Sequence, residues 1–179
     1  RGYIHYNRAL ALWSCRQYQE SAADYRIAVD EFRREHMADN LRRALQNLTW
    51  TLTDLGQLDE ARAAHDEADP LCRTEQARWL QHVDQAHLLL REGSRTECLR
   101  ICEWVIESEA PRSVRCMAAV LVCRSAGELG LWDSMEQMGL VAIDLATIPD
   151  DPDVDHRCWL LATETLRTGR QIRAGTRGA

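Results

Sequence analysis

Two cysteines four residues apart, Cys98 and Cys102, have the spacing in this chain that most resembles half of a metal site. On a helix this spacing places both thiols on one face, and thiolates are good ligands for soft metals. Both residues also occupy small-residue positions of a repeated pattern, described below, which favours packing in a core. His82 and His87 are five residues apart and do not share a helix face. The sequence therefore predicts no metal site.

Motifs that carry catalysis are missing from the sequence. It contains no G-x-S-x-G and no H-E-x-x-H, and the phosphate-binding motif G-x-x-x-x-G-K-[ST] requires a lysine that the chain lacks. A group of acidic residues comprises Asp144, Asp150, Asp151, Asp153 and Asp155. It lacks the glycine and the terminal glutamate of a calcium-binding loop, so we interpret it as a solvated loop with a helix cap. We expect a non-enzymatic protein that needs no cofactor.

The charge distribution argues against a nucleic-acid-binding surface. The 179 residues include 28 acids and 22 arginines, for a formal net charge of -6. Residues 1–168 hold all 28 acids and 19 of the 22 arginines, which gives this part of the chain a net charge of -9. Phosphate backbones attract clustered positive charge, which this part of the chain lacks. The apolar fraction of 45% suffices for a core, and no apolar stretch approaches the ~20 residues of a membrane span. We expect neither direct nucleic-acid binding nor membrane insertion.

The seven cysteines are odd in number and scattered, with no C-x-x-C pair and no signal peptide before them. A secreted disulfide framework favours an even count in a shorter chain, so we expect reduced thiols in a cytoplasmic protein. The first residue is Arg1 rather than Met, and the residues after it already have a helical pattern. We therefore expect a piece of a longer protein.

Apolar residues recur at intervals of three and four almost throughout, which is the period of an α-helix. Strict alternation over the length of a strand is absent, so the predicted fold class is all-α. The predicted helices span about 2–15, 18–36, 40–55, 58–68, 73–92, 95–108, 112–129, 132–147 and 153–168. The short connections predict that consecutive helices are antiparallel. Residues 169–179, with three arginines, three glycines and no acid, are expected to form a flexible basic tail.

A pattern of small and apolar residues recurs along the chain. The segment beginning Gly56-x-Leu58-x-x-Ala61 returns from Gly93 and again from Gly130. Predicted turns fall at Arg16, Gly56, Gly93, Gly130 and Gly169, with spacings of 40, 37, 37 and 39 residues. A small residue stands seven positions before each turn, namely Ala9, Thr49, Ala86, Cys123 and Ala162. Such units are helical hairpins that bury their apolar stripes only against neighbouring units.

The tetratricopeptide repeat is the family that these units resemble, on the residues Tyr18, Ser21, Tyr25 and Ala28 and the segments 58–61 and 130–132. The resemblance implies a right-handed superhelical solenoid of antiparallel helical hairpins, about four repeats plus a terminal helix, over residues 1–168. The long, degenerate repeat units of this chain are similar to those of bacterial helix-turn-helix peptide-pheromone receptors. That similarity implies a DNA-binding effector domain before this chain, and a role as the sensor region of a transcriptional regulator.

In such repeats the first helix of each hairpin lines a concave face, and an extended peptide lies there. Stepping back from each turn by helical spacing gives the expected peptide-binding residues Tyr3, Asn7, Arg43, Asn47, Trp50, Asp54, Asp84, His87, Arg91 and Arg124. Asn7 and Asn47 are expected at the same height on the first helices of two adjacent hairpins. Their carboxamides could both donate to and accept from the backbone of one extended peptide. A solvated or helix-capping role is the alternative for each asparagine, and core packing is the favoured alternative for Trp50.

Two classes of function remain open from the sequence. The first is a peptide- or protein-binding module that passes its state to an attached effector domain. The second is a scaffold in which the repeats mediate assembly, including a possible homo-oligomer. A polar-lined groove would favour the sensor, and an exposed apolar patch would favour assembly. Trp13, like Trp50, is expected at or near the groove, and the other four tryptophans, Trp79, Trp104, Trp132 and Trp159, are assigned to the core.

Overall fold

Helices make up every element that the computed structural model describes, which covers residues 1–146 and 156–176 with side chains for 1–146 and 161–175. In chain order they are α1 (Gly2–Ser14), α2 (Tyr18–Arg34), α3 (Ala38–Leu55), α4 (Leu58–Ala68), a 3-10 turn (Asp69–Leu71), α5 (Glu75–Arg91), α6 (Arg95–Glu107), α7 (Arg112–Glu128), α8 (Trp132–Ala146) and α9 (His156–Thr176). The all-α prediction is confirmed for these residues. None of the described helices is both long enough and apolar enough to cross a membrane.

The predicted turns match left-handed residues at four positions. Arg16, Gly56, Gly93 and Gly130 have φ angles of 62°, 75°, 88° and 70°. At Gly56 the next amide, that of Gln57, donates to the Leu52 carbonyl at 2.9 Å, which closes α3 with a Schellman bond. The three predicted spacings between these turns, 40, 37 and 37 residues, are therefore correct.

The predicted turn at Gly169 is wrong, because Gly169 lies inside α9. The helix continues to Thr176, so residues 169–176 are helical rather than part of a flexible tail. Arg170 pairs with Glu136 of α8 at 2.6 Å, and Arg173 reaches the same carboxylate at 3.4 Å. These ion pairs hold the basic segment against α8, which the composition alone did not indicate.

The connection predicted between residues 36 and 40 contains a left-handed residue that the sequence did not mark, His36, whose φ is 56°. The Met37 amide donates to the Phe32 carbonyl at 3.0 Å, the same Schellman bond that closes α3. The segment Ser94-Arg95-Thr96-Glu97 before and at the start of α6 has the pattern of a capping box, but the Ser94 side chain makes no cap hydrogen bond and Glu97 pairs with Arg100 instead.

Residues 1–93 form a compact unit of stacked hairpins. Helices α1 and α2 are antiparallel, and the Ser21 hydroxyl donates to the Ala9 carbonyl at 2.8 Å where they cross. Helices α2 and α4 run in the same direction, because Arg26 pairs with Glu60 and, two turns on, Arg33 pairs with Glu67. The buried core includes Ala9, Ala22, Tyr25, Ala28, Val29, Phe32, Leu45, Leu48, Leu52, Ala61, Ala64, Ala68 and Leu88. Small residues at the crossings let the helices approach closely, as the pattern predicted.

Residues 94–179 form a second compact unit. The thiols of Cys116 and Cys123 on α7 donate to carbonyl oxygens of α8, each at 3.2 Å, which fixes these helices as antiparallel. Helix α9 packs closely on α8, because a Cβ atom added at Gly139 would lie 2.7 Å from Leu166 Cδ1. Cys123, Ala126, Met135 and Leu166 form a buried cluster there.

Candidate functional site

A hydrogen bond between α1 and α3 brings the predicted binding residues of these two helices close together. The Asn47 side-chain amide donates to the Tyr6 hydroxyl at 2.9 Å. Asn7 follows Tyr6 directly and is exposed, and Arg43, one turn before Asn47, is exposed as well. Tyr3 lies one turn before Tyr6 on α1. We call Tyr3, Asn7, Arg43 and Asn47 the α1–α3 surface.

Aromatic packing positions the α1 side of this surface. The Tyr3 ring packs edge-on against Phe32 with ring centres 5.2 Å apart, and Tyr3 nevertheless remains 50% exposed. The Tyr6 ring packs edge-on against Tyr25 at 5.9 Å, which fixes the direction of its hydroxyl group. Tyr6 was not among the predicted site residues, although its place beside Asn7 was visible in the sequence.

A second group of predicted residues meets between α3 and α5. The rings of Trp50 and His87 lie 4.2 Å apart between centres, and His87 Nε2 lies 3.2 Å from a carboxylate oxygen of Asp54. We call these three residues the His87 cluster. Trp50 and His87 stand 37 residues apart in the chain, as the repeat spacing predicts for equal levels of neighbouring hairpins.

Burial changes the role that we expected for the His87 cluster. Trp50 and His87 are each 1% exposed, and Asp84 is also buried. A peptide on the surface would not touch these side chains in this conformation, so direct ligand contact by Trp50, His87 and Asp84 is corrected to a place in the core. Asp54 is partly buried at the edge of the cluster.

The two remaining predicted residues are Arg91 and Arg124. Arg91 is exposed near the end of α5. Arg124 is partly buried on α7, in the unit formed by residues 94–179. The structure therefore brings together Asn47 with the exposed residues around Tyr6, and Trp50 with Asp54 and His87.

An ion pair that was not predicted from the sequence joins exposed Arg8 of α1 to a buried carboxylate of α2. Asp24 of α2 is 2% exposed and accepts hydrogen bonds from Arg8, while His5 Nδ1 lies 3.1 Å from its carboxylate. The bonds from Arg8 hold the pKa of Asp24 below its usual range, although burial acts in the opposite direction. The sequence could have indicated that Asp24 is buried, because Asp24 lies on the same face of α2 as the buried residues Ser21 and Ala28.

Buried amides form another unpredicted polar group, between α3 and α5. Gln46 donates to the Ala77 carbonyl at 3.3 Å and receives a hydrogen bond from Arg42 at 2.6 Å. Gln81 donates to the His65 carbonyl at 2.7 Å. Satisfied buried polar groups of this kind hold the register of neighbouring hairpins.

The cysteine pair on α6 lies in the core. Cys98 and Cys102 are both fully buried and free of disulfides. A hydrogen bond between the two thiols and burial raise the pKa of the Cys102 thiol. Within the described part of the chain no group of three His, Cys, Asp or Glu side chains is arranged to hold a metal. Cys158 lies outside the described side chains.

The assignment of tryptophans to the core fails at Trp104, which is 49% exposed on α6. Trp79 and Trp132 are partly buried. Trp159 lies outside the described side chains.

Comparisons with protein-family models, with curated proteins and with solved structures found no match to this chain.

Proposed function

We propose that the chain is a helical-repeat module that binds an extended peptide on the α1–α3 surface. The observation that carries this proposal is the hydrogen bond between Asn47 and Tyr6, with the exposed side chains of Asn7 and Arg43 beside it. An extended peptide presents alternating N–H and C=O groups. A carboxamide can accept a hydrogen bond from the peptide N–H and donate one to the peptide C=O.

The chemistry of the surface supports a peptide ligand. Asn7 supplies a donor and an acceptor in one group, and Arg43 supplies a guanidinium that matches a carboxylate. Tyr3 offers a half-exposed ring held by Phe32, which provides apolar contact area for a ligand side chain. Tyr3 and Asn47 would lose little freedom on binding, because ring packing and the hydrogen bond to Tyr6 already order them.

The His87 cluster supports the proposal because it fixes α3, the helix that carries Arg43 and Asn47. Packing of Trp50 against His87, together with the contact from His87 to Asp54, joins α3 to α5. A helix that is already fixed in this way lowers the ordering cost of binding.

In this proposal the hairpins belong to a right-handed superhelical solenoid of the tetratricopeptide type, and the α1–α3 surface is part of its concave face. Parallel placement of α2 and α4, and of α3 and α5, supports that arrangement within residues 1–93. The proposed role is the sensor region of a transcriptional regulator, non-enzymatic, acting on an effector domain outside this chain.

A random-peptide display library tests the proposal, because it requires no ligand to be chosen in advance. Peptides selected on the full chain are labelled, and their affinities are measured by fluorescence anisotropy for the parent and for Asn7→Ala, Arg43→Ala and Gln19→Ala. Gln19 is exposed on α2 and serves as the matched control. We expect about tenfold weaker binding for the first two variants and no change for the control. Selected peptides that bind all four proteins equally would contradict the proposal.

An exposed apolar pair at the start of α1 favours assembly as a second candidate function. Ile4 is 69% exposed, and Tyr3 beside it is half-exposed. Contiguous exposed apolar side chains mark association surfaces. Light scattering of the parent and of Ile4→Gln tests this candidate, since assembly through α1 predicts that the variant is smaller in mass, and equal masses contradict it.

A further inference from the structure

A small pocket lies where the 3-10 turn meets the start of α5. Its volume is about 380 Å³, and the side chains around it include Asp69, Cys72, Arg73, Arg78, Gln81 and His82. Sites for small molecules have volumes of roughly 300–1,000 Å³, so this pocket suits a ligand of few atoms. None of these residues belongs to the α1–α3 surface.

Two arginines at this pocket have no acidic partner. Arg26, Arg33 and Arg62 of the same unit each pair with a glutamate. Arg73 and Arg78, by contrast, form no ion pair with any carboxylate among the described residues. Arg78 donates from Nε to the Cys72 carbonyl at 3.3 Å, which holds its guanidinium at the pocket and uses one of its five donors.

A carboxylate shares the pocket with these arginines. Asp69 is exposed and forms no ion pair with a described residue, although Arg73 and Arg78 line the same pocket. A simple anion bound by Arg73 and Arg78 would be repelled by Asp69. A ligand that carries a negative and a positive group close together would satisfy both sides.

The buried residues beneath this pocket are already satisfied by the protein. Gln81 donates to the His65 carbonyl, and the Cys72 thiol donates to the Ala68 carbonyl at 3.4 Å. Burial lowers the pKa of His82, although nearby Asp69 acts to raise it. Besides His82, the pocket is lined by two arginines and one aspartate.

We propose that this pocket binds a free α-amino acid, with its carboxylate on Arg73 and Arg78 and its ammonium group on Asp69. The guanidinium fork matches a carboxylate through paired hydrogen bonds, and an α-amino acid carries both required charges on a single carbon. The size of the pocket suits one such molecule. This site is independent of the peptide surface, so either can exist without the other.

Isothermal titration of the full chain with each standard L-amino acid tests the proposal. We expect saturable binding of at least one of them, with the N-acetyl and carboxamide analogues of that amino acid bound at least about tenfold more weakly. Loss of the ammonium charge in the first analogue removes the contact to Asp69, and loss of the carboxylate in the second removes the contacts to Arg73 and Arg78.

Variants assign the binding to this pocket. Arg73→Gln and Asp69→Asn should each weaken binding about tenfold, and both residues are exposed, so folding is expected to survive and is checked by circular dichroism. Arg34→Gln, a matched change at an exposed position of α2 outside both proposed sites, should leave the affinity unchanged. Three results would overturn the proposal: no binding at about 10 mM amino acid, equal affinity for either analogue, or equal affinity of Arg73→Gln and the parent.

Discussion

Loss of the hydrogen bond between Asn47 and Tyr6 should destabilise the N-terminal unit by a predictable amount. The bond is neutral, 2.9 Å long and half-buried, so Tyr6→Phe should lower the free energy of unfolding by about 0.5–1.5 kcal/mol. Asn47→Ala removes the same bond from the other side and should cost a similar amount. The compact unit has 93 residues, a size at which 1 kcal/mol shifts the melting temperature by about 4–8 °C.

Urea denaturation of the two single variants and the double variant measures the bond itself. If each change removes the same interaction, the double variant should lose less than the sum of the singles, with a coupling energy of about 0.5–1.5 kcal/mol. Gln19→Ala, at an exposed position of α2, should leave the midpoint unchanged. Strictly additive losses would refute the reasoning, because they would show that Asn47 and Tyr6 act through separate contacts.

Three further predictions concern the described helices. Arg8 lowers the pKa of Asp24, so the stability that this pair contributes is complete above the unfolded-state pKa of about 4 and declines as the pH falls through the folded value. Urea midpoints of Arg8→Gln and the parent should therefore converge between pH 7 and pH 3, and a constant difference would contradict this. His36→Gly should stabilise by about 0.5 kcal/mol because it relieves a left-handed residue, whereas Gly56→Ala should destabilise; opposite signs would contradict the turn geometry. Ala86→Phe should cost at least about 1–3 kcal/mol, since Ala86 is fully buried, and an unchanged melting temperature would show that the packing is wrong.

Glycine explains both the success and the failure in locating the turns. Gly56, Gly93 and Gly130 mark left-handed positions that glycine adopts without strain, so the sequence shows these turns. His36 adopts the same conformation without a glycine, so the sequence shows a break between α2 and α3 but not the left-handed residue that makes it. Gly169 serves the other use of glycine, close approach between helices, because a Cβ atom there would collide with Met135. The two uses look alike in a sequence.

The register of neighbouring hairpins was predictable, but burial was not. A spacing of 37 residues placed Trp50 level with His87, and their rings meet in the structure. The same spacing does not show how deep a residue lies, because depth depends on how closely α3 and α5 pack. Polar residues on a predicted stripe, such as His87, are therefore buried where a neighbouring helix covers them.

Two contacts in or near the candidate site depend on how far a long side chain extends, which cannot be predicted from the spacing of residues along a helix. Tyr6 lies one position from the predicted stripe, yet its long side chain brings the hydroxyl to Asn47. Arg8 has the pattern of an ordinary surface charge, yet its side chain reaches the buried carboxylate of Asp24. Long side chains thus join positions that the pattern keeps apart.

An NMR titration tests the central claim, that the α1–α3 surface binds peptide, most directly. The side-chain amide resonances of Asn7 and Asn47 are followed in the isotope-labelled full chain while a library-selected peptide is added, with the amide of Gln19 as the internal reference. Peptide binding at this surface predicts saturable shifts of the Asn7 and Asn47 resonances at one common dissociation constant, with the Gln19 resonance unmoved. Saturable binding that leaves both asparagine resonances in place would contradict it.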